Sequence, residues 1–352
     1  MIFSSPLLRL AKKSFLLALF SSPSVAVLAQ TTDPIAERMV IYQRSYGGWP
    51  KAINEKKVVY EKEMSPEEIQ FIRLTANNQD ATFDNKATSR EIRYLVKAFK
   101  ETQNEVYLKS AKKGVDYILT AQYKNGGWPQ YYPDARLYRA QITYNDDAMV
   151  NVLNILQDIA EKSGDFAVFE DSYVKRAKEA VAKGVSCILQ TQVNVDGKPT
   201  VWAAQYDEKK LVPVKARAFE PASLSSSESV GITRFLMRIK EPSTEVKNAI
   251  TAAMSWFDNV KLTGINTKKV EDTALPKGYD IVVVDDPAST LWARFYDLKT
   301  QEPVFSDRTQ IVKKKLSEIE YERRVGYAWY GVWPKKLIDK EFPAWKRLNG
   351  LQ

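Results

Sequence analysis

Between residues 80 and 260 the chain alternates between helical apolar stripes and loops rich in glycine and aromatic residues. Ile92, Leu95, Val96 and Phe99 recur at the spacing of one helix face, and Met149, Val152, Leu153, Leu156 and Ile159 do the same. Ile232, Phe235 and Leu236 begin a third stripe. A second amphipathic helix follows each, and two of these followers match: Ala111 to Gln122 repeats as Val181 to Gln192. In the later copy Val174, Ala177, Val181, Val185 and Ile188 share a face, and Ile250 to Val260 reads as a third, degenerate member. Helix pair, long connection, helix pair is the signature of stacked or ring-closed helical hairpins. The expected fold is therefore an all-α toroid in one domain, with irregular loops and a few short strands over one rim. Ile281–Val284 is the best strand candidate.

The loops repeat too. Tyr46-Gly47-Gly48-Trp49-Pro50-Lys51 returns as Asn125-Gly126-Gly127-Trp128-Pro129-Gln130, and Trp329 to Lys335 carries a Gly-Val-Trp-Pro variant. Glycine permits the tight backbone and proline stiffens the exit. A loop tryptophan can offer a flat face to a sugar ring, but one copy per hairpin favours a plug for the apolar end of each helix pair.

Composition narrows the chemistry. The chain has no histidine and one cysteine, Cys187, so His triads, His metal sites, Cys-based metal sites and intrachain disulfides are excluded. A metal must be held by oxygen atoms, which suits calcium or magnesium. The net charge of +9, from 52 basic and 43 acidic residues, favours a polyanionic partner. The first residues combine Arg9, Lys12 and Lys13, an apolar run from Phe15 to Phe20, and the small-residue exit Val27-Leu28-Ala29. This predicts a secretory leader over residues 1–29, cleaved near Ala29, and one domain over residues 30–352. The expected location is secreted or periplasmic. An exported chain makes an acidic polysaccharide the better polyanion; neither nucleic acid nor membrane is expected as a partner, and a monomer is expected.

Two helix starts share a pattern: Thr82-Phe83-Asp84-Asn85-Lys86 and Thr143-Tyr144-Asn145-Asp146-Asp147. Singly, such residues read as helix caps. As a pair on one rim, Asp84, Asp146 and Asp147 can converge as a hard-oxygen cation site. Val214 to Glu228 precedes the third inner helix and carries Arg217, whose plainest reading is a salt bridge to Glu220; its serine run reads as capping. Arg294 lies among Trp292, Phe295 and Tyr296, Arg308 follows Asp307, and Arg324 sits in a charge cluster. A guanidinium held among aromatic rings suits bidentate capture of a carboxylate.

Taken in order, Thr82–Ala87, Gly126–Pro133, Thr143–Met149, Ala216–Ser227, Leu291–Tyr296 and Tyr321–Pro334 resemble the pectate lyases of polysaccharide lyase family 10. The resemblance implies an (α/α)3 toroid and calcium-dependent anti β-elimination on polygalacturonate. It implies Arg217 as the catalytic arginine that removes the C5 proton, with Arg294 as the other candidate. Asp84 belongs to the catalytic centre; Asp146, with Asp147 and Asp84, is expected to bind Ca2+. Arg294 and Arg308 are expected to bind uronate carboxylates, with Asn85, Lys51 and Trp128 as further substrate contacts. Two other readings compete. An inverting glycoside hydrolase would use Asp84 and Asp146 roughly 6.5–9.5 Å apart. A calcium-dependent lectin-like module would bind acidic glycans without product.

Overall fold

The structure is a computed structural model that describes residues 1–3 and 31–351. The expected leader lies, but for its first three residues, outside the described residues. Among the described residues ten α-helices follow in order: α1 (Pro34–Tyr42), α2 (Pro66–Leu74), α3 (Ser89–Thr102), α4 (Glu105–Ala121), α5 (Ala148–Ala160), α6 (Asp171–Thr191), α7 (Ser226–Met237), α8 (Thr244–Asn259), α9 (Tyr321–Gly326) and α10 (Phe342–Leu348). Among the described residues no helix is long and apolar enough to cross a membrane.

Three antiparallel hairpins, α3–α4, α5–α6 and α7–α8, stand side by side. The inner helices touch in the order α3, α5, α7 and the outer ones in the order α4, α6, α8, with α1 against α3 and α4. The apolar stripes meet along the inner row: Ile92, Leu95, Val96, Met149, Val152, Leu153, Leu156, Ile159, Ile232 and Leu236 are all fully buried. Each large side chain so buried contributes about 1.5–3 kcal/mol.

The repeated tryptophans close the ends of this core. The indole N–H groups of Trp49, Trp128, Trp202 and Trp292 donate to the carbonyls of Met39 (2.7 Å), Ile118 (2.8 Å), Ile188 (2.8 Å) and Phe257 (2.7 Å). All four carbonyls lie in the last turns of α1, α4, α6 and α8, where a helix has no acceptor partners of its own. The glycine inside the repeated outer helix makes room for them. A Cβ on Gly114 would meet the Trp49 ring at 2.7 Å, and one on Gly184 would meet Leu153 at 2.5 Å and the Trp128 ring at 3.3 Å. Gly126, at φ +93°, brings its backbone so close to α6 that a Cβ would stand 2.0 Å from the Lys183 carbonyl oxygen. Trp128, expected at the substrate, is thus corrected to a plug: it is fully buried and has no ring face for a sugar.

Short strands then tie each tryptophan to the next inner helix. Thr82, Thr143 and Ser225 donate their N–H groups to the carbonyls of Trp49, Trp128 and Trp202. Phe83, Tyr144 and Ser226 donate to those of Gln130, Ala204 and Arg294, each two residues beyond a tryptophan. Every inner-helix start is therefore clamped between two tryptophan strands.

The expected all-α toroid is corrected on this point. The chain is 46% helix and 16% strand, in several sheets. The largest element outside the helices is a long antiparallel hairpin, Leu262–Glu271 with Tyr279–Ala293, bulged between Thr263 and Ile265 and extended by Tyr330–Gly331. A separate small core of Phe295, Val304, Phe305, Leu316, Ile319 and Trp329 supports it. Of this hairpin only Ile281–Val284 stands out in the sequence, because its other positions alternate weakly and its face is half-exposed. The two-residue strands of the rim are invisible in sequence, since their partners are tens of residues away.

Trp128→Phe removes the donor to Ile118 and leaves a buried carbonyl unsatisfied, at a cost of about 1–3 kcal/mol. Thermal unfolding is expected to fall by several degrees while KM stays at its wild-type value; a raised KM with unchanged Tm would restore the sugar-contact assignment.

Candidate active site

The two matching helix starts fold alike. Asp84–Lys86 and Asn145–Asp147 are single tight turns in which Asn85 (φ 51°), Lys86 (φ 64°), Asp146 (φ 52°) and Asp147 (φ 58°) take the left-handed conformation. Asn and Asp tolerate this region better than other side chains. Thr88, at φ 68° and ψ −50°, forms a γ-turn of the rarer hand, closed by Ser89 N–H donating to the Ala87 carbonyl at 2.8 Å. Such backbone costs about 1–3 kcal/mol and persists only where its surroundings impose it. Here the Thr88 hydroxyl donates to the Thr82 carbonyl (3.0 Å) and accepts from the Trp49 N–H (3.1 Å). The N-cap positions of α3 and α5 are Thr88 and Asp147, and neither makes a side-chain capping bond. The carboxylates at these starts are not spent on capping.

They face a small cleft of about 70 Å3 lined by Lys51, Asp84, Asn85, Asn145, Asp146 and Arg217, with Gln130, Tyr131, Tyr138, Gln205 and Glu220. Lys51 reaches it because it lies two residues beyond Trp49. Its ammonium pairs with Asp84 Oδ2. Burial, the largest single influence, works against that ammonium, but the charge and hydrogen bond of Asp84 together with Tyr131 outweigh it and its pKa is raised. The other Asp84 oxygen, Oδ1, is buried and without a hydrogen-bond partner. Asp146 accepts from the Asn145 side-chain amide at 3.0 Å. Its pKa is raised, first by burial and then by the charges of Asp84 and Glu228, against the opposing pull of Arg294 and Arg217.

Arg294 lies two residues beyond Trp292 and is nearly buried. It pairs with Glu228, approaches Asp146 at 3.8 Å, and sits over the Tyr327 ring at 4.9 Å. Burial, the largest single influence, works to lower its pKa; the charge and hydrogen bond of Glu228 together with Tyr327 and Asp146 outweigh it and hold the guanidinium protonated. Its Nε is buried without a partner. Arg217 is half-exposed, lies over Phe219 at 4.8 Å, and makes the paired contact with Glu220 that its sequence neighbourhood suggests. The Glu220 hydrogen bonds raise its pKa.

Three candidates stand elsewhere. Asp147 is turned toward α7, where its Oδ1 lies 2.1 Å from the place a Cβ on Gly231 would occupy. Arg308 is exposed and bonded to Glu322 (3.2 and 3.4 Å), outside the residues lining the cleft. Trp128 is the plug already described. Glu228 and Glu220 are the site residues that sequence reasoning missed. Glu228 follows a serine run that reads as capping, yet it occupies the start of the third inner helix, as Asp84 and Asp146 occupy the first two. That equivalence was its signal.

Among the described residues, no cluster of three or more His, Cys, Asp or Glu side chains is placed to hold a metal. Asp84 and Asp146 nonetheless fit a hard cation in part. One has an orphaned buried oxygen, the other a carboxylate disfavoured by negative neighbours, and both are relieved by positive charge between them. Since calcium takes ~6–8 oxygens, ligand carboxylates and water would have to complete the shell.

With this geometry in place, comparison with known proteins is direct. The family described as pectic acid lyase matches residues 43–338. Among solved structures, the family 10 polysaccharide lyase from Cellvibrio cellulosa is 33% identical, with a TM-score of 0.76 over 88% of this chain and 91% of that one. A mutant of that enzyme in complex with trigalacturonic acid aligns equally well, at 33% identity and TM-score 0.76, covering 88% of this chain and 92% of the other. No curated protein matches the chain.

Asp147 provides a test of the electrostatics. Its pKa is raised to about 6 by burial, Glu228 and Asp146. Its charged form is disfavoured in the fold, so its penalty is absent well below the ordinary value of 3.8, grows as pH rises from there and is nearly complete above about pH 6.5. In chelator, Asp147→Asn is expected to raise Tm by about 2–4 °C at pH 8, as ~1 kcal/mol would in a domain of this size, and by much less at pH 4. An equal Tm at pH 8 would show that Asp147 carries no such penalty.

Proposed function

The chain belongs to the pectic acid lyase family and is a polysaccharide lyase, and on that premise we propose that it cleaves polygalacturonate by calcium-dependent anti β-elimination. The observation that carries this reading is the cleft itself. Lys51, Arg217 and Arg294 face four carboxylates, Asp84, Asp146, Glu220 and Glu228, and Asp84 keeps an unpartnered oxygen. With a divalent cation held by Asp84 and Asp146 the balance turns positive, and a polyanion with a carboxylate on every sugar is the ligand such a surface selects. The family excludes neither partner nor location in detail; we further propose that residues 1–29 direct export, that residues 30–352 act as one catalytic domain, and that the substrate is met outside the cytoplasm.

The chemistry needs a proton removed from C5, beside a carboxylate that is already negative. The C5–H electrons become the C4–C5 double bond, the C4–O bond breaks, and the leaving oxygen takes a proton. Arg294, held flat between Glu228 and Tyr327, is oriented to bind the uronate carboxylate and oppose the charge that builds there. Lys51 adds a second cation on the far side of Asp84. Asp84 and Asp146 would hold calcium, which when bound supplies further positive charge to the same carboxylate. Asn85 and the Tyr131 ring stand where the sugars would pass.

Arg217 is proposed as the base. It is the more exposed of the two cleft arginines and is not buried in an ion pair as Arg294 is. An arginine becomes a base only when its neutral form is favoured, by nearby cations or loss of its anionic partner. Glu220 does the opposite here, so Arg217 must part from Glu220 before it can accept a proton. The activity is accordingly expected to rise toward alkaline pH. Arg308 and Asp147, outside the cleft, are proposed only as contacts that a long bound chain or an occupied cation site would recruit.

Incubation with polygalacturonate is expected to generate ultraviolet absorbance from the new double bond, abolished by exhaustive chelation and restored by calcium. New reducing ends without absorbance would mean hydrolysis, and full activity in chelator would reject the calcium dependence. Arg217→Lys keeps the charge but changes reach and the planar fork. Turnover is expected to fall at least about a hundredfold, within the range of general acid–base contributions, while calorimetric binding of trigalacturonate with calcium survives. Near-normal turnover would move the base assignment to Arg294.

A further inference from the structure

The cationic surface does not end at the cleft. Arg217, at its edge, stands 4.8 Å from the centre of the Phe219 ring, and Arg323 of α9 stands 4.5 Å from the same ring. An aromatic ring attracts a guanidinium at its face, so Phe219 holds two like charges near each other that would otherwise repel. Beyond Arg323 comes Gly326, exposed and without a side chain. A Cβ there would lie 3.4 Å from Arg323 Nη2 and 3.9 Å from Lys277 Nζ, so both cations border one open point. Lys277 belongs to the tip of the long hairpin. The tip is fastened to α9: Lys277 N–H donates to the Tyr321 hydroxyl (3.1 Å), which donates to the Tyr279 carbonyl (2.8 Å). Glu322 is shared between Arg308 and Arg323, leaving one positive charge in excess, and among the described residues Lys277 enters no ion pair. Arg323 and Lys277 have no part in the catalytic chemistry.

We propose that the hairpin tip extends the polyanion track, with Lys277 as an outer subsite residue for a uronate unit of a long acidic polysaccharide bound across the cleft. This rests on the polygalacturonate reading above. Arg217, Arg323 and Lys277 form a stepped row of cations running from the chemistry to the tip, and carboxylates repeated along one chain can engage them together. Each outer contact is weak alone and gains from being tethered to the rest. Its contribution is therefore confined to substrates long enough to reach the tip.

The test compares chain lengths in the full protein. Lys277→Glu reverses the outer charge at an exposed position, and Gly326→Asp places a carboxylate at the point the two cations border. For both variants kcat/KM on polygalacturonate is expected to fall about fivefold, the upper end of one surface ion pair. On trigalacturonate it should stay within about twofold of wild type, since no exposed pair reaches the cleft chemistry. Equal losses on both substrates, or no loss on the polymer, would overturn the proposal. Retention in a polygalacturonate-containing gel gives a second readout that does not need turnover. Unchanged mobility of Lys277→Glu there also counts against the outer subsite, whereas absence of turnover in the wild type would fault the lyase reading and leave the gel result to judge the tip.

Discussion

The structure depends on one hydrogen bond made four times: a buried tryptophan indole donating to a carbonyl in the last turn of an outer helix. The end of a helix leaves carbonyls without partners, and burying them bare is costly. The indole satisfies one of them and, with the same side chain, fills the apolar gap between helices. Because the tryptophan is held, the strand leaving it is held as well. The carbonyls of Trp49, Trp128 and Trp202, and those two positions past Trp128, Trp202 and Trp292, accept from the starts of the inner helices. A packing device thereby becomes a positioning device.

Function sits on the residues this device presents. Lys51, Gln130 and Arg294 each lie two positions past a tryptophan; Asp84, Asp146 and Glu228 lie at the inner-helix starts. Two cations, Lys51 and Arg294, are brought beside the carboxylates for that reason. The arrangement is paired but not neutral in its detail: one Asp84 oxygen and the Arg294 Nε remain unpartnered while buried, and Asp146 carries a raised pKa. Those unmet demands mark where a ligand's carboxylate and a hard cation improve the energy. The strained backbone at Thr88 and the left-handed residues at both turns belong to the same feature, since strain is kept where the surrounding contacts impose it.

Ion pairing also sets the resting state of the site. Glu228 keeps Arg294 charged and fixed, which suits a residue that binds a carboxylate throughout a reaction. Glu220 keeps Arg217 charged as well, which does not suit a base. The two arginines differ in burial and in the number of groups that hold them, and that difference is what separates a fixed clamp from a side chain free to change partner. Beyond them the long hairpin, braced by its own small core, carries the positive surface away from the cleft.

Helical periodicity and the internal repeat by themselves determined the three hairpins and the buried stripes, because those depend on local spacing and on burial of apolar faces. The absence of histidine and the single cysteine determined that any metal chemistry must use oxygen ligands. The family's ordered motifs pointed to Asp84, Asp146, Arg217 and Arg294, and the fold brings all four to one rim. Only the tertiary structure decided the rest. The all-α expectation failed for two reasons: the strand pairings on the rim join residues far apart in sequence, where no local pattern records them, and the long local hairpin is half-exposed and alternates only weakly. Trp128 is closed to substrate, Asp147 faces α7 and Arg308 lies out on the surface because orientation depends on which neighbour fills the space beside each side chain. Glu228 was hidden for the converse reason: its charge is silent in a serine-rich helix start until the third inner helix is set beside the other two.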